Sequence, residues 1–222
     1  MKRQYGSIIA IVAAILWGFS GTCAQYIFMN FSLDASHLTS IRMLSAGIIL
    51  VIVGLFADRK NMIQIWIEKS AVLQLLLFSI FGIMLCQLSY LKAISYSNSG
   101  TATILQYTGP VMIMIFSCLV SKRLPTKKEI IAIIMALLGT FFIATHGDLS
   151  NMVITPKGLS WGIFSAVALA TYTLIPQKII ASYGSIAVTG YGMVIGGAVL
   201  SVFSKAWELD FAQDMRLYLS FS

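Results

Sequence analysis

Runs of apolar residues about as long as a bilayer is thick dominate this sequence and constrain its fold more than any other feature. The hydrocarbon core of a membrane is about 30 Å thick, so a helix needs about 20 predominantly apolar residues to cross it. Seven such segments lie at roughly 8–29, 37–56, 71–91, 100–120, 130–146, 158–180 and 185–203. Lipid offers no partners to exposed backbone groups, so each segment is expected to be helical. The sequence predicts an all-α, polytopic membrane helix bundle.

The composition agrees with a membrane protein and excludes an ordinary soluble domain. Hydrophobic residues make up 58% of the 222 residues and charged residues only 10%, whereas soluble domains carry about 25% charged residues. The net charge of +7 could suggest a nucleic-acid partner, but the cations cluster in short loops between the apolar runs. We therefore expect no nucleic-acid partner.

The distribution of lysine and arginine predicts which side of the membrane each loop occupies. Ten of the 15 cations fall on the side that holds the N-terminus, and at most five fall on the other, counting Arg42 just inside a span. Loops rich in Lys and Arg stay in the cytoplasm. The first apolar run is too long for a signal peptide and lacks a small-x-small cleavage site. The predicted location is the cytoplasmic membrane, with an uncleaved first span and a cytoplasmic N-terminus.

Residues that could support catalysis or metal binding are few and scattered. Cys23, Cys86 and Cys118 lie within apolar runs without metal-ligand spacing, which is typical of small buried hydrophobic residues. His37 and His146 lie far apart at span ends, and no Asp or Glu lies inside a predicted span. Hydrolysis or acyl transfer would need a positioned His, Asp or metal cluster. We expect no enzyme activity, no metal, no cofactor and no obvious proton relay.

A weak internal repeat suggests how the spans are organised. Shifting the chain by 152 positions aligns Gly6, Ile11, Ala14 and Gln25 with Gly158, Ile163, Ala166 and Gln177. A repeat unit of five helices would place the second copy upside down in the membrane. We expect a first repeat over 1–147 and an incomplete second repeat over 156–222, with two helices and the start of a third from Leu217. The chain would then be truncated; the alternative is a seven-helix protein with an amphipathic tail.

Four stretches of the chain carry a resemblance to a known family. They are LWGFSGT, RMLSAGIIL, YLKAISYSNSGTATILQYTGPVMIMIF and SKRLPTKKEIIAIIMALLGTFFIA, in the first five spans. They resemble the EamA-type branch of the drug/metabolite transporter superfamily, most specifically from the third span to the fifth. The resemblance covers the whole chain. It implies two inverted five-helix repeats with both termini cytoplasmic, and transport of small metabolites, often amino acids and commonly outward. Lys92 matches a lysine that this family often has.

The stretch 90–116 concentrates polar groups that its surroundings lack. On a helix over 99–117, most of the polar residues fall within an arc of about 100°. A stripe of this kind should face other helices or water and not lipid. Pro110 has no N–H, so a continuous helix would leave the carbonyl of Gln106 without its partner.

The sixth span carries a parallel stripe that includes Tyr172 and ends at Pro176. Either the prolines complete ligand-binding clusters, or they make structural kinks with hydrogen bonds between helices. The predicted substrate-binding residues are Trp17, Gln87, Tyr90, Lys92, Thr103, Gln106, Tyr107 and Tyr172. Trp17 also lies on a small-residue face suited to packing, and Lys92 could snorkel to the interface or pair with Asp34.

The predicted function is that of an integral membrane secondary transporter, which exports or exchanges a small polar metabolite such as an amino acid. The alternative is a non-transporting membrane fragment or subunit, because the resemblance implies about three helices more than the chain supplies. The predicted partners are the metabolite and the lipid bilayer. A homodimer or a partner chain could supply the missing helices.

Overall fold

The computed structural model is helical throughout the part that it describes, which is residues 2–31, 33–145, 148 and 155–208. The α-helices are α1 (Lys2–Asn30), α2 (Ala35–Ala57), α3 (Arg59–Gln64), α4 (Lys69–Leu77), α5 (Leu85–Tyr96), α6 (Ser99–Gln106), α7 (Gly109–Val120), α8 (Lys127–Thr145), α9 (Pro156–Leu174), α10 (Gln177–Tyr183) and α11 (Ser185–Ser204). A π-helical segment, Phe78–Met84, joins α4 to α5, and a 3₁₀ turn, Ala206–Glu208, follows α11.

The predicted spans coincide with helices. Five helical segments of the described residues are long and apolar enough to cross a membrane, and the bent pair α9 and α10 adds a sixth if it is one span. The fifth predicted span overlaps α8; its last residue, His146, lies outside the described residues, as does the predicted eighth helix from Leu217. The predicted all-α, polytopic membrane bundle is confirmed.

Large apolar side chains cover the outside of the bundle. On α1 alone, Ile9, Ile15 and Phe19 are 67%, 65% and 69% exposed. An apolar surface this continuous is expected only where lipid or another protein covers it. The molecule is therefore an integral membrane protein.

Glycines allow α2 and α11 to pack closely side by side. Gly47 lies against Val194, and Gly197 lies against Leu44, so the two helices run antiparallel. A Cβ added at Gly47 would lie 2.8 Å from the backbone nitrogen of Val194, and one at Gly197 would lie 3.0 Å from that of Leu44. Helices in lipid associate chiefly through such close packing of small residues. This pair therefore holds the second and seventh spans together.

Two apolar clusters fill the interior. One surrounds Phe78 and Leu75 and joins the third span to α10 and α11. The other surrounds Leu91 and Ala102 and joins α1, α2, α5 and α6.

The fourth and sixth spans are both interrupted near the prolines at which structural kinks were one of the two predicted alternatives. The fourth span is two helices, because the chain turns at Tyr107 and Thr108 before α7 begins. Pro110 lies in the first turn of α7, where a missing N–H costs no hydrogen bond. In the sixth span, α9 and α10 meet at an angle of 41° beside Pro176.

A capping box starts α8. The Thr126 hydroxyl accepts the Glu129 backbone N–H at 3.3 Å, and the Glu129 carboxylate accepts the Thr126 N–H at 2.7 Å. Arg123 also donates to both carboxylate oxygens, at 2.7 and 2.8 Å. The hydrogen bond from Arg123, followed by those from Thr126, lowers the pKa of Glu129 from 4.5 to about 2. The loop between α7 and α8 is thus held by a charged carboxylate.

We expect the stabilising effect of Glu129 to disappear in acid. Its pKa is lower in the folded protein than in the unfolded chain, so the contribution is complete above about pH 4.5 and is lost as the pH falls towards about 2. Glu129→Gln should lower the melting temperature of the detergent-solubilised protein slightly at pH 7. The difference from the wild type should shrink between about pH 5 and about pH 3. A difference that stays constant over this range would contradict the assignment.

Candidate functional site

A partly enclosed cavity lies between four of the spans. Its volume is about 250 Å³, and its wall is formed by Trp17, Ile83, Cys86, Gln87, Tyr90, Gln106, Leu169 and Tyr172. These residues come from α1, the π-helical segment, α5, α6 and α9. Five of the eight residues predicted to bind substrate therefore face one space, although they are distant in sequence.

Gln106 places an amide in the cavity at the point where α6 ends. Its side chain is only 2% exposed, and its Nε2 group donates to the Cys86 sulfur at 3.8 Å. Its Oε1 atom is buried and has no hydrogen-bond partner among the described residues. A buried polar atom without a partner costs free energy, on the order of 1–3 kcal/mol. Groups left in this condition are common at sites that bind a ligand.

Tyr90 is fixed by a short chain of hydrogen bonds. The Thr103 hydroxyl donates to the Ser99 carbonyl at 2.6 Å, so the Tyr90 hydroxyl is the donor in its own 2.9 Å bond to Thr103. The Trp17 ring lies 5.9 Å from the Tyr90 ring and 6.1 Å from the Tyr107 ring. Thr103 and Tyr107 therefore contact two residues of the cavity wall, Tyr90 and Trp17, but do not line the cavity themselves.

The π-helical segment brings α9 close enough to complete the wall. Widening a helix to the π form frees backbone carbonyls and often occurs at functional sites. Here the Thr171 hydroxyl of α9 lies 2.8 Å from the Ala168 carbonyl of its own helix and 2.9 Å from the Phe81 carbonyl, so its proton is shared between the two. A Cβ at Gly82 would lie 2.7 Å from the Phe78 ring, so glycine leaves room for that ring. Tyr172 is held in place against Phe78, with 5.6 Å between the rings.

Lys92 lies apart from the cavity. Its Nζ atom donates to the Asp34 carboxylate at 2.7 Å, which is the pairing that the sequence analysis gave as an alternative to substrate binding. Burial raises the pKa of Asp34, but hydrogen bonds from Lys92 and Ser36 outweigh burial and lower the pKa below 3.8. The pair ties the start of α2 to the end of α5.

Three residues of the wall were missed by the sequence analysis, namely Ile83, Cys86 and Leu169. They are apolar or weakly polar residues in apolar runs, so only their neighbours on the helix could have indicated them. Among the described residues, no three His, Cys, Asp or Glu side chains lie close enough to hold a metal ion.

A second, smaller cavity shares one wall residue, Gln87, with the first. Its volume is about 70 Å³, and its wall includes Arg42, Thr39 and Gln87. Gln87 therefore faces both cavities. Arg42 was noted in the sequence as a cation at membrane depth but was not predicted to bind substrate.

The chain is similar to several membrane transporters whose substrates are unassigned. It is 38% identical over 220 residues to the "Uncharacterized inner membrane transporter YicL" of Salmonella typhimurium, covering 99% of this chain and 73% of that protein. It is 24% identical over 210 residues to an "Uncharacterized transporter" of Archaeoglobus fulgidus, covering 95% of this chain and 71% of that protein.

The fold is also similar to a solved crystal structure. The TM-score is 0.61 with 16% sequence identity, covering 90% of this chain and 69% of the other. At this identity the likeness concerns the fold alone. The sequence itself matches the EamA-like transporter family over residues 4–145, which is more than half of the chain. With the extended similarity to YicL, this match shows that the chain belongs to the EamA-like family of membrane transporters.

Proposed function

We propose that this protein is a secondary transporter of the cytoplasmic membrane that exports or exchanges a small polar metabolite such as an amino acid. The observation that carries the proposal is the cavity between the spans, in which the buried Oε1 atom of Gln106 has no hydrogen-bond partner among the described residues. A bundle that only needed stability would fill this space with apolar side chains. A cavity that holds a polar solute needs such a free group.

The size and chemistry of the cavity favour a small, partly polar solute. Sites for drug-sized ligands commonly measure about 300–1,000 Å³, and this cavity measures about 250 Å³. Gln87 and Gln106 supply amide donors and acceptors, and Trp17 and Tyr172 supply aromatic walls. An amino acid or a metabolite of similar size matches this combination.

The packing of α2 and α11 supports an inverted-repeat architecture. The shift of 152 positions places α2 (Ala35–Ala57) over 187–209, which overlaps α11 (Ser185–Ser204). The two helices are therefore counterparts in the proposed repeats, and they pack antiparallel. Many secondary transporters bind their substrate between such inverted copies, near the middle of the membrane. The cavity between α1, α5, α6 and α9 occupies the corresponding place in our proposal.

The proposed orientation can be tested by cysteine labelling in intact cells. The positive-inside rule places Lys128 in the cytoplasm and Lys157 outside. In a Cys23→Ala background, which removes the exposed native thiol, Lys128→Cys should resist a membrane-impermeant maleimide, and Lys157→Cys should react with it. After the cells are opened, both should react. If only Lys128→Cys were labelled in intact cells, the orientation would be the opposite of the proposed one.

Transport itself should be tested with the purified chain in liposomes. We expect saturable counterflow of at least one L-amino acid or small metabolite from a labelled panel, with none in empty liposomes. Loading the liposomes with unlabelled solute allows exchange to be detected even if the coupling ion is absent. A protein that is folded and monodisperse but moves no member of the panel would count against the proposed function.

A further inference from the structure

An open groove runs between α7 and α8 on the outside of the part of the bundle that the structure describes. Its volume is about 380 Å³, and its wall is formed by Pro110, Ile113, Met114, Ser117, Arg123, Glu129, Ala132 and Ile133. The groove exists because α8 packs chiefly against α6 and much less against α7, although a short loop joins α7 to α8. It shares no wall residue with the cavity between α1, α5, α6 and α9.

The wall of this groove is apolar except at the loop end and at the Ser117 hydroxyl. Proline, isoleucine, methionine and alanine side chains form most of it, and the two ionic groups belong to Arg123 and Glu129. Because α7 is part of a segment that is long and apolar enough to cross the membrane, the groove lies against hydrocarbon. A polar solute would lose its hydrogen bonds there, whereas an acyl chain would lose none.

The loop end of the groove carries an excess of positive charge. Between positions 122 and 129 the chain has Lys122, Arg123, Lys127 and Lys128 but only one acid, Glu129, which is paired with Arg123. The three lysines are exposed, and none of them forms an ion pair with a described residue. Basic pockets between membrane helices bind the phosphate groups of acidic lipids. The three ammonium groups therefore suit an anionic headgroup.

Lys122 has a backbone conformation in which glycine would be less strained. Its φ is 48°, and the N–H groups of Lys122 and Arg123 donate to the carbonyls of Leu119 and Cys118 at 3.2 and 3.0 Å. Helices that end in this way usually carry glycine at the left-handed position, because a side chain costs free energy there. A lysine that is kept at such a position beside the groove supports a role in binding.

From the groove and its cations together we propose that this protein binds an anionic phospholipid between α7 and α8. An acyl chain lies in the groove, and the phosphate group accepts hydrogen bonds from Lys122, Lys127 and Lys128. The hydrogen bonds of Glu129 order the loop before the lipid arrives, which lowers the entropic cost of binding. The site is separate from the proposed transport site and does not depend on it.

The test is a lipid titration of the purified, delipidated protein, read by native mass spectrometry. Phosphatidylglycerol and phosphatidylcholine with the same acyl chains differ in net charge, and glycerol phosphate supplies the phosphate without the chains. The first phosphatidylglycerol should bind about tenfold more tightly than phosphatidylcholine. Glycerol phosphate at equal concentration should not displace it, because the buried chain supplies part of the affinity.

Variants of the lysines test the headgroup contacts. The triple variant Lys122→Gln/Lys127→Gln/Lys128→Gln should bind the two lipids within about twofold of each other. The matched control, which should keep the preference, neutralises the three cations of the loop between the second and third spans, namely Arg59, Lys60 and Lys69. Lys122→Gly should lower the preference by about threefold while it holds or raises the melting temperature. This single variant separates the loss of a cation from a loss of folding.

Variants of α8 test the groove. Ala132→Phe fills the wall of the groove and should weaken the binding of both lipids by about fivefold or more. Ile131→Phe is the control, because Ile131 is 59% exposed and does not line the groove. It should bind both lipids as the wild type does.

Several results would overturn the proposal. They are equal binding of the two lipids by the wild type, a preference that survives in the triple lysine variant and in Lys122→Gly, and unchanged binding by Ala132→Phe. Displacement by glycerol phosphate would show a simple anion site without a role for the groove. A dimer that takes up no lipid would show that a second copy of the chain covers the groove. None of these results bears on transport.

Discussion

Gly47→Ala and Gly196→Ala should each destabilise the protein, although alanine is normally the better helix former. A Cβ at Gly47 would lie 2.8 Å from the Val194 backbone nitrogen, and one at Gly196 would lie 2.7 Å from the Ser79 carbonyl oxygen. Backbone atoms cannot rotate away, so the helices must separate. Overpacking of this kind costs about 1–3 kcal/mol. For a chain of this length, that lowers the melting temperature by roughly 2–12 °C.

Gly18→Ala and Gly139→Ala are the matched controls for this prediction. A Cβ at either position meets nothing within 4 Å, so the substitution adds no contact. Alanine is favoured over glycine in a helix interior by about 1 kcal/mol, and both controls should hold or raise the melting temperature. Thermal unfolding in detergent, monitored by size-exclusion chromatography, gives the melting temperatures of all four variants. Equal effects at all four positions would show that close packing of α11 does not stabilise this bundle.

Gln106→Leu should reduce transport strongly without reducing stability. The substitution removes a buried amide whose Oε1 atom has no hydrogen-bond partner in the part of the chain that the structure describes, so the folded state should be as stable as the wild type or more stable. A solute that bonds to this amide should lose at least about tenfold in transport efficiency. Gln64→Leu provides the same substitution on α3, where the side chain is exposed and far from the cavity wall.

Melting temperatures and counterflow rates together decide between a binding role and a structural role for Gln106. If the amide only stabilises the helix break at Tyr107, Gln106→Leu should melt at a lower temperature, and its transport should fall in proportion to the folded fraction. Normal counterflow by a stable Gln106→Leu protein would remove Gln106 from the site. The Gln64→Leu protein should show the same counterflow rate as the wild type.

The helical spans could be predicted because their signal is local. Lipid requires about 20 consecutive apolar residues, and that requirement can be read from the sequence alone. The polar stripe around Gln106 was visible for the same reason, since a few polar residues stand out against an apolar background. Trp17, Gln87 and Tyr172 were also among the predicted binding residues, and in the structure they line the same cavity as Gln106.

Features that depend on contacts between distant helices could not be predicted. The π-helical segment Phe78–Met84 is stabilised partly by Thr171 on α9, so its own residues do not reveal it. Pairing of Lys92 with Asp34 was one of several alternatives in the sequence, and only the structure, in which the two side chains lie 2.7 Å apart, decides between them. Arg42 stood out as an isolated cation, yet only the structure shows that its Nη1 atom is buried with no hydrogen-bond partner among the residues described.

The central claim is that the space between α1, α5, α6 and α9 holds the transported solute. The most direct measurement is an experimental structure of the protein with a transported metabolite bound. We predict density for the solute inside this cavity. A polar atom of the solute should lie within hydrogen-bond distance of Gln106 Oε1, and the ring or aliphatic part of the solute should lie against Trp17 or Tyr172. Density for the solute at another place, with this cavity filled only by side chains, would contradict the account.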